Sequence, residues 1–333
     1  MQTRNPRLTL SRLYAMPAAV LVLFNFLHLV GLKSFHPWPQ VILLWGSGID
    51  MFDYIHHFHF YRLMVASPGL RLEDIFPGHG FSVYISAYLA VSTLYFAKLH
   101  KLVSGRRPQI WAWALFLSLF LLMNGRGAIG WVGWLLCVHA CLGVAAGLWP
   151  GLAMRTVLQC VLGLMLTVVS SGIFVCTLAL FGYFIFVKSG TRRTWTLRRL
   201  SPARLAGLVL VFVLLPVTTY FVFDHLAEAL TKAILFYGPG LEGLIGIATH
   251  GIASQIDKIT LVHVFAAGIM IILFILFILS GFPERIGKDV VVIILIALVG
   301  GVFGLTILTL AFPLIIIATA KLIRFRLIWR SAG

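Results

Sequence analysis

Long apolar runs constrain this chain more than any other feature, because a helix needs about 20 mostly apolar residues to cross a bilayer. Sixty per cent of the 333 residues are apolar and only 11% are charged, a composition typical of polytopic membrane proteins rather than soluble domains. The runs that fit one span each are 12–33, 80–98, 109–124, 127–149, 203–223 and 259–281.

Two further apolar stretches, 156–188 and 289–320, are too long for one span. Basic residues flank both ends of each stretch, and cytoplasmic loops carry the excess of Lys and Arg in membrane proteins. Each stretch is therefore predicted to fold as a hairpin, with turns near residues 170–172 and 300–301. The first run follows a basic flank but has no cleavage site, so we expect a retained span rather than a signal peptide.

These spans predict an all-α, polytopic integral membrane protein with about ten transmembrane helices and both termini in the cytoplasm. Residues 1–333 would form one transmembrane domain. Two outer segments, 34–79 and 224–258, are long enough to form a site, and we expect both to be partly helical. Most of the ten acidic residues fall on this face: Asp50, Asp53, Glu73, Asp74, Asp224, Glu228, Glu242 and Asp257. Acidic residues contribute little to helix orientation, so their segregation points to chemistry at the outer face.

The net charge of +16 does not predict a nucleic-acid partner in such a protein. Excess Lys and Arg in a membrane protein normally lie in cytoplasmic loops near anionic lipid, so we expect contacts with membrane lipids. The four cysteines fall within apolar segments and form no CxxC pair. They are expected to behave as small apolar side chains.

The stretch GSGIDMFDYIHHFHFYR, residues 46–62, concentrates ionisable side chains in the first outer segment. His56 and His59 would share a helical face with Asp53, a spacing that occurs in metal sites. Membrane di-iron enzymes need several such clusters, and the sequence has no second one. We therefore predict no metal site and favour a wet substrate-binding segment, with a histidine-dependent metal enzyme as the lesser alternative.

Arg126 lies between two apolar spans at the predicted outer face, within LLMNGRGAIGWVGWLL, residues 121–136. An isolated arginine at this depth can be a snorkelling anchor. It can also hold phosphate oxygens with its forked donors, and Gly125 and Gly127 would let backbone amides approach the same ligand.

Two motifs resemble those of EpsG-like and Wzy-type polysaccharide polymerases. GIDMFDYIHHF is similar to their G-x-D-x-x-x-Y-x-x-x-F signature through Gly48, Asp50, Tyr54 and Phe58. MNGRGAIG resembles the N-x-x-R-x-x-I-A stretch that opens a later span, with Asn124 and Arg126 one residue closer together than in that pattern. Many members also carry a histidine before small residues in a later span, and LTVVSSGIF contains none.

The resemblance implies a GT-C-like membrane glycosyltransferase of the bacterial inner membrane. Such enzymes join glycan repeat units carried on undecaprenyl pyrophosphate at the outer face, without a metal, a nucleotide sugar or another cofactor. A chain-length regulator is a further expected partner. A polymerase and a ligase that use the same donor remain alternatives at this stage.

Glycosyl transfer requires stabilisation of the departing pyrophosphate and removal of a proton from the acceptor hydroxyl. The predicted substrate-binding residues are Arg126, with Arg62 or Arg71 as a second donor to the pyrophosphate, and Tyr54, Asn124 and Asp53. The candidates for the catalytic base are Asp50, then His250 and Asp224. For each acid the alternative is a solvated loop charge.

A transporter or flippase of lipid-linked or small solutes is the alternative from another class. Carriers usually place ionisable residues inside their spans and often show repeated halves. The predicted spans are expected to lack buried acids, and the two halves of the sequence do not match. The polymerase is therefore the preferred hypothesis.

Overall fold

In the computed structural model of the protein, the described residues are 6–48, 60–148, 153–188, 285–301 and 311–321, with isolated positions between 209 and 243. The secondary structure of these residues is helical and includes no strand, which confirms the predicted all-α class for this part of the chain. Residues 259–281 and most of 203–258 lie outside the described part.

The described helices are α1 (Pro6–Leu29), α2 (Pro39–Gly46), α3 (Phe60–Ile75), α4 (Gly80–Ser104), α5 (Ile110–Leu122), α6 (Gly125–Ala145), α7 (Met154–Thr167), α8 (Ser171–Gly182), α9 (Arg285–Gly301) and α10 (Ala311–Lys321). A short π-helix, Tyr183–Lys188, continues α8. Local signals set several ends. Pro39 opens α2 where its missing N–H is not needed, and Gly105 ends α4 with φ 72°.

Helices α4 and α6 are long and apolar enough to cross a membrane, with 25 and 21 residues. At 1.5 Å per residue they are about 37 and 31 Å long, against a hydrocarbon core of about 30 Å. Shorter apolar helices include Ala15–Leu29, Ile110–Leu121 and Met154–Thr167. Length and composition thus support membrane association. The helices of the first outer segment, α2 and α3, also confirm that this segment is partly helical.

Helix α6 lies at the centre of the bundle, where it packs against α4, α7 and α8. Its residues 127–143 are buried, in keeping with a helix that is apolar all round and has neighbours on every face. Aromatic rings join three of the helices. Phe96 of α4 stacks on Phe116 of α5 at 3.9 Å between centroids, and Phe116 stacks on Trp131 of α6 at 5.0 Å.

The apolar stretch 156–188 is interrupted at the predicted turn. Helix α7 ends before residues 168–170 and α8 begins after them. Leu164 and Leu178, on either side of this turn, belong to one apolar cluster, so the chain reverses here. In the second long stretch, α9 ends at Gly301 beside its predicted turn, and the connection to α10 lies outside the described residues.

One acid departs from the prediction that the spans lack buried carboxylates. Asp289, in the first turns of α9, is only 1% exposed. Its Oδ1 accepts a hydrogen bond from the Tyr183 hydroxyl at 2.7 Å. The sequence places Asp289 at the cytoplasmic edge of the predicted stretch 289–320. In the structure, packing of the π-helix against α9 buries the Asp289 side chain.

One end of the bundle brings the end of α1, the end of α5, the start of α6 and the end of α7 together. Lys33, which follows α1, donates from Nζ to the Met123 carbonyl oxygen beyond α5 at 2.8 Å. Arg126 donates from Nε to the Val169 carbonyl oxygen beyond α7 at 3.4 Å. We call this end of the bundle the Arg126 end.

Candidate functional site

Arg126 lies in the first turn of α6, at a helix start that the local sequence specifies. Asn124 is the N-cap, and its side-chain Oδ1 accepts a hydrogen bond from Gly127 N at 2.7 Å. The structure thus gives the predicted substrate-binding residue Asn124 a capping role. Arg126 is half-buried, and its Nε bond to Val169 also ties the start of α6 to the α7–α8 turn.

Residues 34–79, the predicted first outer segment, reach Arg126 through Trp38. The centre of the Arg126 guanidinium lies 5.9 Å from the centroid of the Trp38 ring, and Trp38 packs edge-to-face on Phe81 of α4 at 6.0 Å. Phe35 N donates to Ser82 Oγ at 2.9 Å, and Ser82 Oγ donates to the Phe35 carbonyl at 3.1 Å. These contacts hold the segment after α1 against the start of α4.

Among the described residues, one buried donor at this contact has no acceptor, and the half-buried Arg126 beside it has one. Trp38 is 7% exposed, and its indole Nε1–H makes no hydrogen bond to the residues that the structure describes. Within the same residues, the only hydrogen bond of the Arg126 guanidinium is the one from Nε to Val169. A buried donor without an acceptor costs about 1–3 kcal/mol, more for a charged group, so this pair fits a ligand that accepts hydrogen bonds.

Lys33 is a second cation at the Arg126 end. Its Nζ donates to the carbonyl oxygens of Leu121 and Met123 at 2.9 and 2.8 Å, where the helix dipole of α5 favours a positive charge. The sequence interpretation did not include Lys33, although a lysine at the predicted outer end of the first span is an exception to the positive-inside rule and could have been noticed.

The structure separates the two arginines proposed as second donors. Arg62 is 5% exposed in the first turn of α3, and its neighbour Tyr61 packs with Val168 at the α7–α8 turn. Arg71 is exposed, and about two and a half helical turns place it on the opposite face of α3 from Arg62.

The histidines near this end form a pair that the sequence did not predict. His28 Nε2 lies 2.8 Å from His79 Nδ1, and His28 Nδ1 lies 2.9 Å from Ser34 Oγ. The pair joins the end of α1 to the start of α4. No group of three or more His, Cys, Asp or Glu side chains in the described part of the chain is arranged to hold a metal ion.

Two of the predicted outer acids stabilise local structure. Glu73 accepts hydrogen bonds from Gly78 N at 2.7 Å and from Phe81 N at 2.8 Å, and so caps the turn that opens α4. Asp74 accepts a hydrogen bond from Trp45 Nε1 at 3.1 Å and ties α3 to α2.

The glycine of the first motif is described, and its backbone explains its identity. Gly48 has φ 65°, a left-handed conformation that favours glycine. The remaining predicted residues of this motif and of the second outer segment lie outside the described residues: Asp50, Asp53, Tyr54, Asp224 and His250. Their roles stay predictions, as does the spacing of His56 and His59.

No protein-family model, curated protein or solved structure matches this chain. The resemblance to polysaccharide polymerases therefore depends on the motif residues themselves. The geometry at the Arg126 end is the second source of information about function.

Proposed function

We propose that the protein is a bacterial polysaccharide polymerase that joins undecaprenyl-pyrophosphate-linked glycan repeat units at the outer face of the inner membrane. The observation that carries this proposal is the contact of Trp38 with Arg126. It brings the first outer segment, which contains the first motif, to the arginine of the second motif.

The proposed reaction at the Arg126 end is glycosyl transfer from the lipid pyrophosphate to an acceptor hydroxyl. The bond between the anomeric carbon and the pyrophosphate oxygen breaks, and its electron pair leaves with the pyrophosphate. The acceptor hydroxyl oxygen bonds to the anomeric carbon, and its proton passes to a base. Arg126 would stabilise the charge of the leaving group, and a guanidinium in a low-dielectric setting does so strongly. Asp50 is the proposed base, with His250 and Asp224 as alternatives.

The same proposal includes the finer architecture. It places about ten spans in one domain, with both termini in the cytoplasm and segments 34–79 and 224–258 outside. The turn between α7 and α8 supports this topology. Arg126 lies at the start of α6, so crossings by α6 and α7 would return the chain to the same face, and the turn does lie at the Arg126 end. Membrane lipids and a chain-length regulator are the further proposed partners, and neither a metal nor a nucleotide sugar takes part.

Substitution of Arg126 tests the proposal. Arg126→Ala in the native host should leave single-repeat glycans and reduce long chains by roughly 100-fold or more, as loss of a charge-stabilising donor does. Arg126→Lys keeps the positive charge but loses the forked N–H donors of the guanidinium, so the amount of long chains should be intermediate. Gel analysis of surface glycans measures the outcome. Arg107→Ala is the matched control, because it removes the same charge from the exposed loop between α4 and α5.

Normal chain lengths in a stably expressed Arg126→Ala variant would contradict the polymerase. One observation favours the transporter alternative, namely the buried Asp289 beside Tyr183. A carrier predicts that Asp289→Asn abolishes substrate movement across the membrane while Arg126→Ala does not. The polymerase predicts the reverse pattern for chain length.

A further inference from the structure

We propose that Trp38, Arg126 and the first turn of α6 form a phosphate-binding site in which the indole N–H of Trp38 is a direct ligand donor. We call these three elements the Trp38–Arg126 site. The inference rests on the proposed function in one respect: it takes the phosphate to be that of a prenyl pyrophosphate, the headgroup of the proposed donor.

The first argument is that a buried donor without an acceptor among the described residues lies beside the Arg126 guanidinium. The Trp38 indole N–H is buried and has no hydrogen bond to a described residue, and the guanidinium of Arg126 lies over the same ring. Tryptophan N–H groups usually find a partner when they are buried, so a ligand oxygen is the missing acceptor.

The second argument is the position of both donors at the start of a 21-residue helix. Ala128 N makes the first backbone bond of α6, to the Asn124 carbonyl at 2.9 Å, and the Asn124 side chain occupies Gly127 N. The backbone N–H groups of Gly125 and Arg126 precede these bonds and have no partner within the helix. A cation alone at the positive end of the helix dipole is destabilised by the dipole, whereas an anion bound there is stabilised by it.

The third argument is charge. A pyrophosphate esterified at both ends carries about two negative charges, one on each phosphate. Arg126 supplies one positive charge, and Lys33, bonded to Met123 three residues before Arg126, supplies a second at the same end. The Trp38 N–H adds a directional hydrogen bond without adding charge. The arrangement therefore suits a diphosphate diester better than a neutral sugar.

Binding of farnesyl pyrophosphate to the purified full-length protein in detergent tests the inference. Trp38→Phe keeps an aromatic ring for the contacts with Phe81 and Arg126 and removes the indole N–H together with part of the ring. We expect its Kd to rise about tenfold, the effect of losing one hydrogen bond to a charged acceptor. Arg126→Gln should weaken binding by more than this. Trp113→Phe is the matched control, since Trp113 packs on Phe96 away from the site and its Kd should not change.

Farnesol, which has the same tail and no phosphate, separates headgroup from lipid contacts. Its weak binding should be equal in the parent and in Trp38→Phe. Unchanged affinity of folded Trp38→Phe for farnesyl pyrophosphate would overturn the inference, and so would no binding by the parent protein. If Trp38→Phe does not fold, benzothienylalanine at position 38 replaces the N–H with sulfur in a ring of the same shape and gives the same test.

The failure of this inference and the failure of the polymerase are distinguishable. Loss of farnesyl pyrophosphate affinity in Trp38→Phe, together with normal glycan chains in Arg126→Ala cells, keeps the phosphate site and removes the polymerase. Short chains in Arg126→Ala cells, together with unchanged affinity in Trp38→Phe, keep the polymerase and remove Trp38 as a donor.

Discussion

At the scale of single residues, Arg126 combines two conditions that both disfavour its positive charge. Its charge lies at the positive end of the α6 dipole and is half-buried among apolar helices, and both conditions disfavour a cation. The protein offsets them only in part, through a long bond to Val169 and the face of Trp38. A residue held at such a cost is a candidate for binding an anion rather than for stabilising the fold.

Glu73, by contrast, is predicted to act on stability. Its two carboxylate oxygens accept bonds from the exposed Gly78 N and the part-buried Phe81 N, so Glu73→Ala removes both bonds at the turn before α4. We expect a loss of about 1 kcal/mol, measured as a lower thermal unfolding temperature in detergent. Asp74→Asn is the control, because its amide oxygen still accepts the bond from Trp45. Equal unfolding temperatures for Glu73→Ala and the parent would show that the cap is dispensable.

At the scale of the helices, the close approach of α6 and α7 decides the shape of the central bundle. A Cβ added to Gly133 would lie 2.5 Å from the Gly163 carbonyl oxygen, and a Cβ added to Gly163 would lie 2.8 Å from the Gly133 carbonyl oxygen. The two glycines therefore let the helix backbones touch, as small residues do in membrane helix packing. This contact also sets where the α7–α8 turn meets Arg126.

Gly133→Ala is expected to push α7 away from α6. Overpacking of this kind costs about 1–3 kcal/mol, and here the obstruction is backbone that cannot rotate away. The variant should unfold at a lower temperature and bind farnesyl pyrophosphate more weakly. Gly182→Ala is the matched control, since a methyl group at the end of α8 meets open space and has no strained backbone. A Gly133→Ala protein as stable as Gly182→Ala would exclude close packing at this crossing.

At the scale of the whole molecule, the direction of α4 determines which face of the membrane holds the Arg126 end. The turn before α4 carries His79, which bonds to His28, and the loop after α4 carries Arg106 and Arg107. The positive-inside rule places the arginines in the cytoplasm, so the Arg126 end should face outward.

Site-directed labelling measures this orientation. Pro77→Cys and Arg107→Cys both introduce thiols at exposed positions, one at each end of α4. A maleimide that cannot cross the inner membrane should label Pro77→Cys in spheroplasts and should label Arg107→Cys only after lysis. The parent protein, whose described cysteines are buried or half-buried, gives the background. The opposite pattern would place the Arg126 end in the cytoplasm and remove a polymerase acting outside.

Much of the described architecture could be predicted from the sequence because its causes are local. Apolar composition sets the helices, and the flanking charges around 156–188 require a turn that appears at residues 168–170. Asn124, followed by two glycines around Arg126, specifies the start of α6. Gly48 was in the predicted motif, and its positive φ gives a backbone reason for it.

What the sequence alone determined was therefore the helical class, the position of the α7–α8 turn and the presence of Arg126 between two apolar helices. Only the tertiary structure decided which partners Arg126 meets. Trp38 meets it, and Lys33 bonds to Met123 at the same end of the bundle, because the chain after α1 folds back over the ends of α4 and α5. No local pattern encodes such a return, since it depends on contacts between residues far apart in the sequence.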